Sequence, residues 1–227
     1  MGWLDFFKDK IVKEEKTPFV PFSVVSTEKG DYEEFEEKML KYSLIMLING
    51  KRGSGKTALG MKMLEMFNKK TKRKCYVMGY ENTKLPRWMK KVDDIEKIPN
   101  NAVTLIDEGA VSFFSRDSMK KSHKDLSKLM AIARHKNLVL ILITQNSGMI
   151  DLNVMRLADT VFLKEPSLMQ AKFERKAVKD MYEKAALHFK EEKKKRFYVY
   201  DDDFEGVLKH DLPGFWSDDV STSFKNF

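Results

Sequence analysis

Eight consecutive residues, Gly50-Lys51-Arg52-Gly53-Ser54-Gly55-Lys56-Thr57, carry the G-x-x-x-x-G-K-T spacing without deviation. Glycines so placed let a backbone curl until successive N–H groups face one point, which at a helix N-terminus suits a phosphate. Lys56 would then reach the β- and γ-phosphates of ATP, and the Thr57 hydroxyl would be an oxygen ligand for Mg2+. A second pair, Asp107-Glu108, closes the apolar run Val103-Thr-Leu-Ile. With a phosphate loop upstream, Asp107 is expected in the Mg2+ shell, directly or through water, and Glu108 is expected to polarise the water that attacks the γ-phosphate. A water-activating glutamate distinguishes hydrolysing ATPases from nucleotide kinases, so hydrolysis is the expected reaction.

Three further groups extend this constellation. Gln145 ends the apolar run Leu138-Val-Leu-Ile-Leu-Ile-Thr144. If that run is a strand inserted between the P-loop strand and the Asp107 strand, a polar side chain at its end lies near the γ-phosphate, Gln145 by position ahead of its neighbour Asn146. Arg134, in Ala133-Arg-His-Lys-Asn137 just before that run, is the natural candidate for a guanidinium that reaches a neighbouring subunit's γ-phosphate, with Arg156 and Arg116 as the other candidates. Basic residues cluster at 69–74, 120–124 and 190–196. The middle cluster follows the Asp-Glu strand and the Ser112-Phe-Phe-Ser-Arg116 loop, so Arg116, Lys120, Lys121 and Lys124 are the expected contacts to DNA, through phosphates rather than base edges. The histidines are scattered singly, with no zinc spacing.

These side chains act together only if strands and helices bring them to one place. Tyr42 to Ile48 reads as a buried strand, Thr57 to Asn68 as a helix, Cys75 to Met78 and Ala102 to Ile106 as strands, Asp125 to Arg134 as a helix, and Leu138 to Thr144 and Thr160 to Leu163 as strands. Alternation of this kind predicts an α/β fold, a mostly parallel sheet with helices on both faces; with the Gly50–Thr57 and Asp107-Glu108 motifs it resembles a P-loop NTPase of the RecA/ASCE-like type. Upstream, residues 1–16 put Trp3, Leu4, Phe7 and Ile11 on one helical stripe, an amphipathic helix suited to docking on the core, a neighbouring subunit or a membrane surface. Downstream, Ser167 with Gln170 makes a capping-box pattern for a long helix running to about Arg196 on a stripe of Phe173, Ala177, Met181, Ala185 and Phe189. A terminal strand, Phe197 to Tyr200, follows. The expected division is 1–41, N-terminal helix and extended lead-in; 42–165, ATPase core; and 166–227, C-terminal helix, strand and tail packed on that core.

Composition bounds the reading. The 227 residues are 42% apolar and 33% charged, as in a globular protein with a real core. No apolar run is long enough to span a membrane. The lone Cys75 cannot form an internal disulfide, and the N-terminus lacks a leader pattern, so a reduced, cytosolic protein is expected. Forty-two Lys+Arg against 34 Asp+Glu leave a net charge of +8, which suits a polyanionic partner if it is concentrated on one surface.

GKRGSGKT, LIDEG, ARHKNLVLILITQ and LADTVFLKEPS together resemble the FtsK-HerA superfamily of DNA-translocating P-loop ATPases, and within it the small viral genome-packaging ATPases. The resemblance covers about residues 42 to 165. The tail FYVYDDDFEG through LPGFWSDDVSTSF is similar to packaging-type members as well. The resemblance implies a homo-oligomeric ring, hexamer or pentamer, with active sites at subunit junctions and double-stranded DNA through the centre. It also implies docking to a capsid or an internal membrane vertex, in the host cytoplasm or on the virion. The chain lacks the large extra domains of the cellular translocases, which favours the viral type. A conjugation or morphogenesis ATPase of a mobile element is the nearest alternative. A small-molecule phosphotransferase and a nucleotide-dependent assembly protein without translocation are alternatives of other classes.

Overall fold

The computed structural model describes residues 18–80, 83–107, 128–144, 157–166, 176–217 and 220. The strands are β1 (Ser23–Lys29), β2 (Ile45–Asn49), β3 (Cys75–Met78), β4 (Met89–Lys91), β5 (Val103–Ile106), β6 (Val139–Thr144), β7 (Thr160–Leu163), β8 (Arg196–Asp201) and β9 (Glu205–Lys209). They form one sheet in the order β1-β9-β8-β7-β2-β6-β5-β3-β4. From β7 to β4 every pairing is parallel, while β8, β9 and β1 extend the sheet antiparallel from the β7 edge. β2, β3, β5 and β7 are buried throughout, which is why they read as continuous apolar runs: a parallel strand covered on both faces has no solvent side to mark with polar residues.

The helices supply the two covers. On one face lie α1 (Tyr32–Lys41), through Phe35 and Met39, and α2 (Lys56–Lys70), through Leu59, Met63, Met66 and Phe67, against Met46, Ile48, Val103, Leu105 and Ile141. On the other lie the helical residues 128–135 (α3), through Leu129, Met130 and Ala133, and α4 (Lys176–Ala186), through Met181, Tyr182 and Ala185, against Ile45, Leu47, Leu140 and Leu142. α2 lies close to the sheet because Gly60 has no side chain; a Cβ there would sit 2.8 Å from Leu105 Cδ1. No helix among the described residues is long and apolar enough to cross a membrane.

Three expectations about the flanks need correction. Residues 18–41 are not an extended lead-in but the strand β1 and the helix α1. The acidic run Asp31-Tyr-Glu-Glu hides that helix start: Asp31 is the N-cap, accepting from the N–H groups of Glu33 and Glu34, whose own charges suit a helix N-terminus. The long C-terminal helix stops at Ala186, ten residues short of Arg196. His188 and Phe189 bond back three residues rather than four, and Glu192 takes φ 44°, reversing the chain into β8. The basic run then spreads outward to separate carboxylates, Lys193 to Glu165 and Lys195 to Asp211, instead of stacking like charges along one helix. A strand missed altogether, β9, follows the acidic turn and carries β1. The N-terminal stripe at 1–16 and the Ser167–Gln170 capping pattern lie outside the described residues.

Candidate nucleotide site

The phosphate loop joins β2 to α2. Gly53 and Gly55 adopt φ 77° and 90°, left-handed conformations that a residue with a side chain takes only with strain, and Gly55 is the residue from which α2 departs. Lys56 is 5% exposed, and its ammonium donates to the carbonyls of Gly50 (2.8 Å) and Lys51 (2.9 Å), folding back over the loop. Two buried oxygens of this region, Ser54 Oγ in the loop and Asn49 Oδ1 just before it, have no hydrogen-bond partner among the described residues. Orphaned polar atoms in a buried loop are costly: a phosphate oxygen would accept from the Ser54 hydroxyl and so fits this cradle, whereas Asn49 Oδ1, itself an acceptor, calls for a donor such as water.

β6 lies between β2 and β5 in the sheet, as the sequence predicted. Its register sets Asn49 beside Thr144 and Ile106 beside Leu142, so the C-terminal ends of all three strands meet. Asp107 follows β5 there, and Thr57 Oγ1 stands 3.5 Å from its Oδ2. A hydroxyl and a carboxylate from two elements converging at the mouth of a phosphate loop are the hard oxygen ligands that Mg2+ takes, with phosphate and water as the rest of its shell. The residues present therefore fit Mg2+. The Tyr80 hydroxyl, unforeseen in the sequence, donates to the same Oδ2 at 3.1 Å. Tyr80 is buried, and burial together with the Asp107 carboxylate pushes its phenol well above the ordinary range, so it remains a donor.

The outer wall of the loop is another feature the sequence did not announce. Lys164, at the end of β7, bonds its N–H to the Asn49 carbonyl at 2.7 Å, while the Lys51 N–H donates to the Glu165 carbonyl at 2.9 Å. The Glu165 carboxylate pairs with Lys51 (2.8 Å) and Lys193 (3.0 Å), and these two ammonium groups outweigh its partial burial to hold it below the usual glutamate range. The Lys164 ammonium is enclosed, and burial pushes it down to about 7. In sequence, a lysine after an apolar strand reads as an ordinary solvated strand end, and nothing in its spacing distinguishes it.

Arg134 lies elsewhere. Its guanidinium donates to the Leu157 carbonyl (3.0 Å) and pairs with Asp159 (3.2 Å), whose other oxygen accepts from the Ile45 N–H. Ile45 begins β2, and Lys56 follows its opposite end, so Arg134 is separated from its own loop by the length of the strand, about 15 Å at 3.3 Å per residue. The structure thus gathers Lys56, Thr57 and Asp107 but not Arg134. Glu108, Gln145, Arg116, Arg156, Lys120, Lys121 and Lys124 lie outside the described residues.

No protein-family model matches the chain, and no curated protein matches it in sequence. Solved structures do. The genome packaging NTPase B204 of Sulfolobus turreted icosahedral virus 2, in complex with AMPPCP, is 18% identical with a TM-score of 0.54, over 75% of this chain and 99% of that one. The DNA-packaging ATPase B204 from Sulfolobus turreted icosahedral virus is 20% identical with a TM-score of 0.52, over 73% and 97%. The pCW3 conjugation coupling protein TcpA, in its monomer form with ATPγS, is 12% identical with a TM-score of 0.53, over 82% of this chain and 66% of that one. At these identities the likeness is one of fold.

Proposed function

From the fold of an FtsK-HerA-like P-loop ATPase, we infer that this chain binds ATP with Mg2+ and hydrolyses it to move double-stranded DNA, and that the movement packages a viral genome. The observation that carries the reading is the convergence of Lys56, Thr57 and Asp107 at the C-terminal ends of β2 and β5, with β6 between them. Lys56 would exchange its two loop carbonyls for phosphate oxygens. Thr57 and Asp107 would hold Mg2+, whose chemistry is to neutralise charge on the phosphates during transfer. Glu108 follows Asp107 and would take the proton of the attacking water. Gln145 follows Thr144, whose strand ends beside Asn49, and would orient that water or report the γ-phosphate.

The translocation half of the proposal draws on the similarity to packaging and conjugation-coupling ATPases and on the basic residues that follow the Asp-Glu pair. Arg116, Lys120, Lys121 and Lys124 would contact DNA phosphates from a ring, hexamer or pentamer, in which Arg134 reaches the next subunit's site. Packaging is favoured over conjugation because the chain matches the packaging NTPase over 99% of that protein's length, against 66% for the coupling protein. The ring would dock to a capsid or internal membrane vertex.

The test is phosphate release, measured with and without duplex DNA across a range of protein concentration. The reading expects hydrolysis that needs Mg2+, rises with DNA and rises per subunit as the ring assembles; Lys56→Ala should abolish nucleotide binding. Hydrolysis indifferent to DNA would remove translocation, and ATP affinity unchanged in Lys56→Ala would remove the site itself. Sedimentation with empty capsids then separates packaging from conjugation.

A further inference from the structure

One side chain backs the phosphate loop from end to end. Lys164 leaves β7 and runs beneath the curve: a Cβ on Gly50 would lie 2.7 Å from Lys164 Cβ, and a Cβ on Gly55 would lie 3.6 and 3.8 Å from its Cε and Nζ. The two glycines that bound the loop thus rest on the two ends of this lysine. Lys164 is 0% exposed. Its ammonium donates to the Lys194 carbonyl at 2.8 Å and to His210 Nε2 at 3.2 Å. His210, itself buried, stands with Nδ1 3.0 Å from the Asp211 carbonyl. That carbonyl accepts the single proton of a neutral imidazole at Nδ1 and leaves Nε2 as the acceptor Lys164 needs. The Lys194 carbonyl also lies 3.0 Å from where the Gly55 Cβ would be, so the turn before β8 and the lysine close on the loop together.

Neither bonded partner of this ammonium is a carboxylate. Burying a cation without a counter-charge is expensive, and an apolar side chain would brace the glycines equally well. A lysine at this point is explained by an anion on the other side of a thin loop. Through a low-dielectric wall its charge is felt several ångströms away, where the same charge in water would be screened.

We propose that Lys164 is a positioning residue of the nucleotide site: anchored on the Lys194 carbonyl and His210, it holds the Gly50–Gly55 curve in its phosphate-binding shape and, kept protonated by the anion in the loop, adds a positive charge behind the β-phosphate. It acts through the loop and touches no substrate atom. The inference rests on the nucleotide reading above and adds to it a residue, and a link from the loop to the C-terminal strands.

The experiment is calorimetric titration of the full chain with Mg2+ and either ADP, which has a β-phosphate for the loop, or AMP, which has none. Lys164→Met keeps the length of the strut and removes its charge; ADP affinity should fall about 10- to 100-fold, as for a unit charge acting over several ångströms at an effective dielectric of about 20, with AMP affinity changed less than about threefold. His210→Phe removes the acceptor and should shift the same ratio, whereas His210→Gln, which keeps an acceptor, should restore it. His210→Phe decides the matter if Lys164→Met does not fold. Wild-type ADP affinity in the folded variants, or equal losses for ADP and AMP with a lowered melting temperature, would overturn the proposal and leave Lys164 a packing residue. Wild-type protein that binds no ADP would instead overturn the nucleotide reading and this proposal with it.

Discussion

Asp107 has one carboxylate oxygen within reach of both the Tyr80 hydroxyl and the Thr57 hydroxyl, and the two have different consequences. On the proposed function Thr57 would share Mg2+ with Asp107, while the Tyr80 hydroxyl holds the carboxylate oxygen that would do so. Tyr80→Phe should therefore leave ADP binding intact and raise the Mg2+ concentration for half-maximal hydrolysis several-fold, as expected for a lost partner behind a metal ligand. An unchanged Mg2+ titration would reduce Tyr80 to core packing. His210 makes a different prediction, about stability. Burial, with the Lys164 charge beside it, pushes His210 down to about 3 from 6.5. Between those values the unfolded chain binds a proton that the folded chain refuses, so its contribution is complete above pH 6.5 and is lost as pH falls toward 3. His210→Gln cannot titrate and should show a shallower loss of urea-unfolding free energy across that window. Equal acid limbs in both proteins would contradict the buried neutral imidazole.

At the scale of elements, the parallel strands and the antiparallel strands are held by different means. β2, β5 and β6 are clamped between two cores, whereas β1 is an exposed edge strand whose pairing to β9 shifts register twice. Gly206 makes that pairing possible. A Cβ there would lie 2.4 Å from the Ser26 carbonyl oxygen, a backbone atom that cannot swing aside. Gly206→Ala should cost about 1–3 kcal/mol, the range for overpacking, and should raise hydrogen exchange in residues 23–29 ahead of β2 and β6. Exchange rising uniformly across the sheet would mean that β1 unfolds only with the rest. The turn between α4 and β8 belongs to the same antiparallel unit, and it supplies the Lys194 carbonyl and Lys193 to the loop's outer wall.

Across the whole molecule, the phosphate-loop end of the sheet and Arg134 face opposite ways. A guanidinium at the starts of β2, β6 and β7 cannot serve a phosphate at their ends. In a head-to-tail ring, one subunit's far end can meet the next one's near end. Arg134→Ala should then bind ATP normally and hydrolyse it slower by about 10³-fold or more. Activity should partly return on mixing Arg134→Ala with Lys56→Ala, because some junctions then pair an intact loop with an intact arginine. No recovery in verified mixed rings would shift the role to Arg156. Asp159 engages Arg134 in the single chain, so a neighbour's triphosphate would have to compete for it.

What the sequence determined by itself was local or periodic. The spacing of Gly50, Gly53, Gly55, Lys56 and Thr57 encodes a loop conformation that glycine alone permits, and the apolar runs ending at Asn49, Asp107 and Thr144 encode buried parallel strands whose order followed from the motif between them. The flanks were less legible. The charges of α1 are its caps and hide Phe35 and Met39; β1 is exposed on both sides and shows no alternation; and the lysines after Ala186 look like a helix face until Glu165 and Asp211 draw them apart. Only tertiary structure decided that Tyr80 meets Asp107 and that Lys164 lies beneath the loop against Lys194 and His210. Those contacts join residues 27 to 46 positions apart, and no periodicity in the chain records a partner that only the packed sheet brings near.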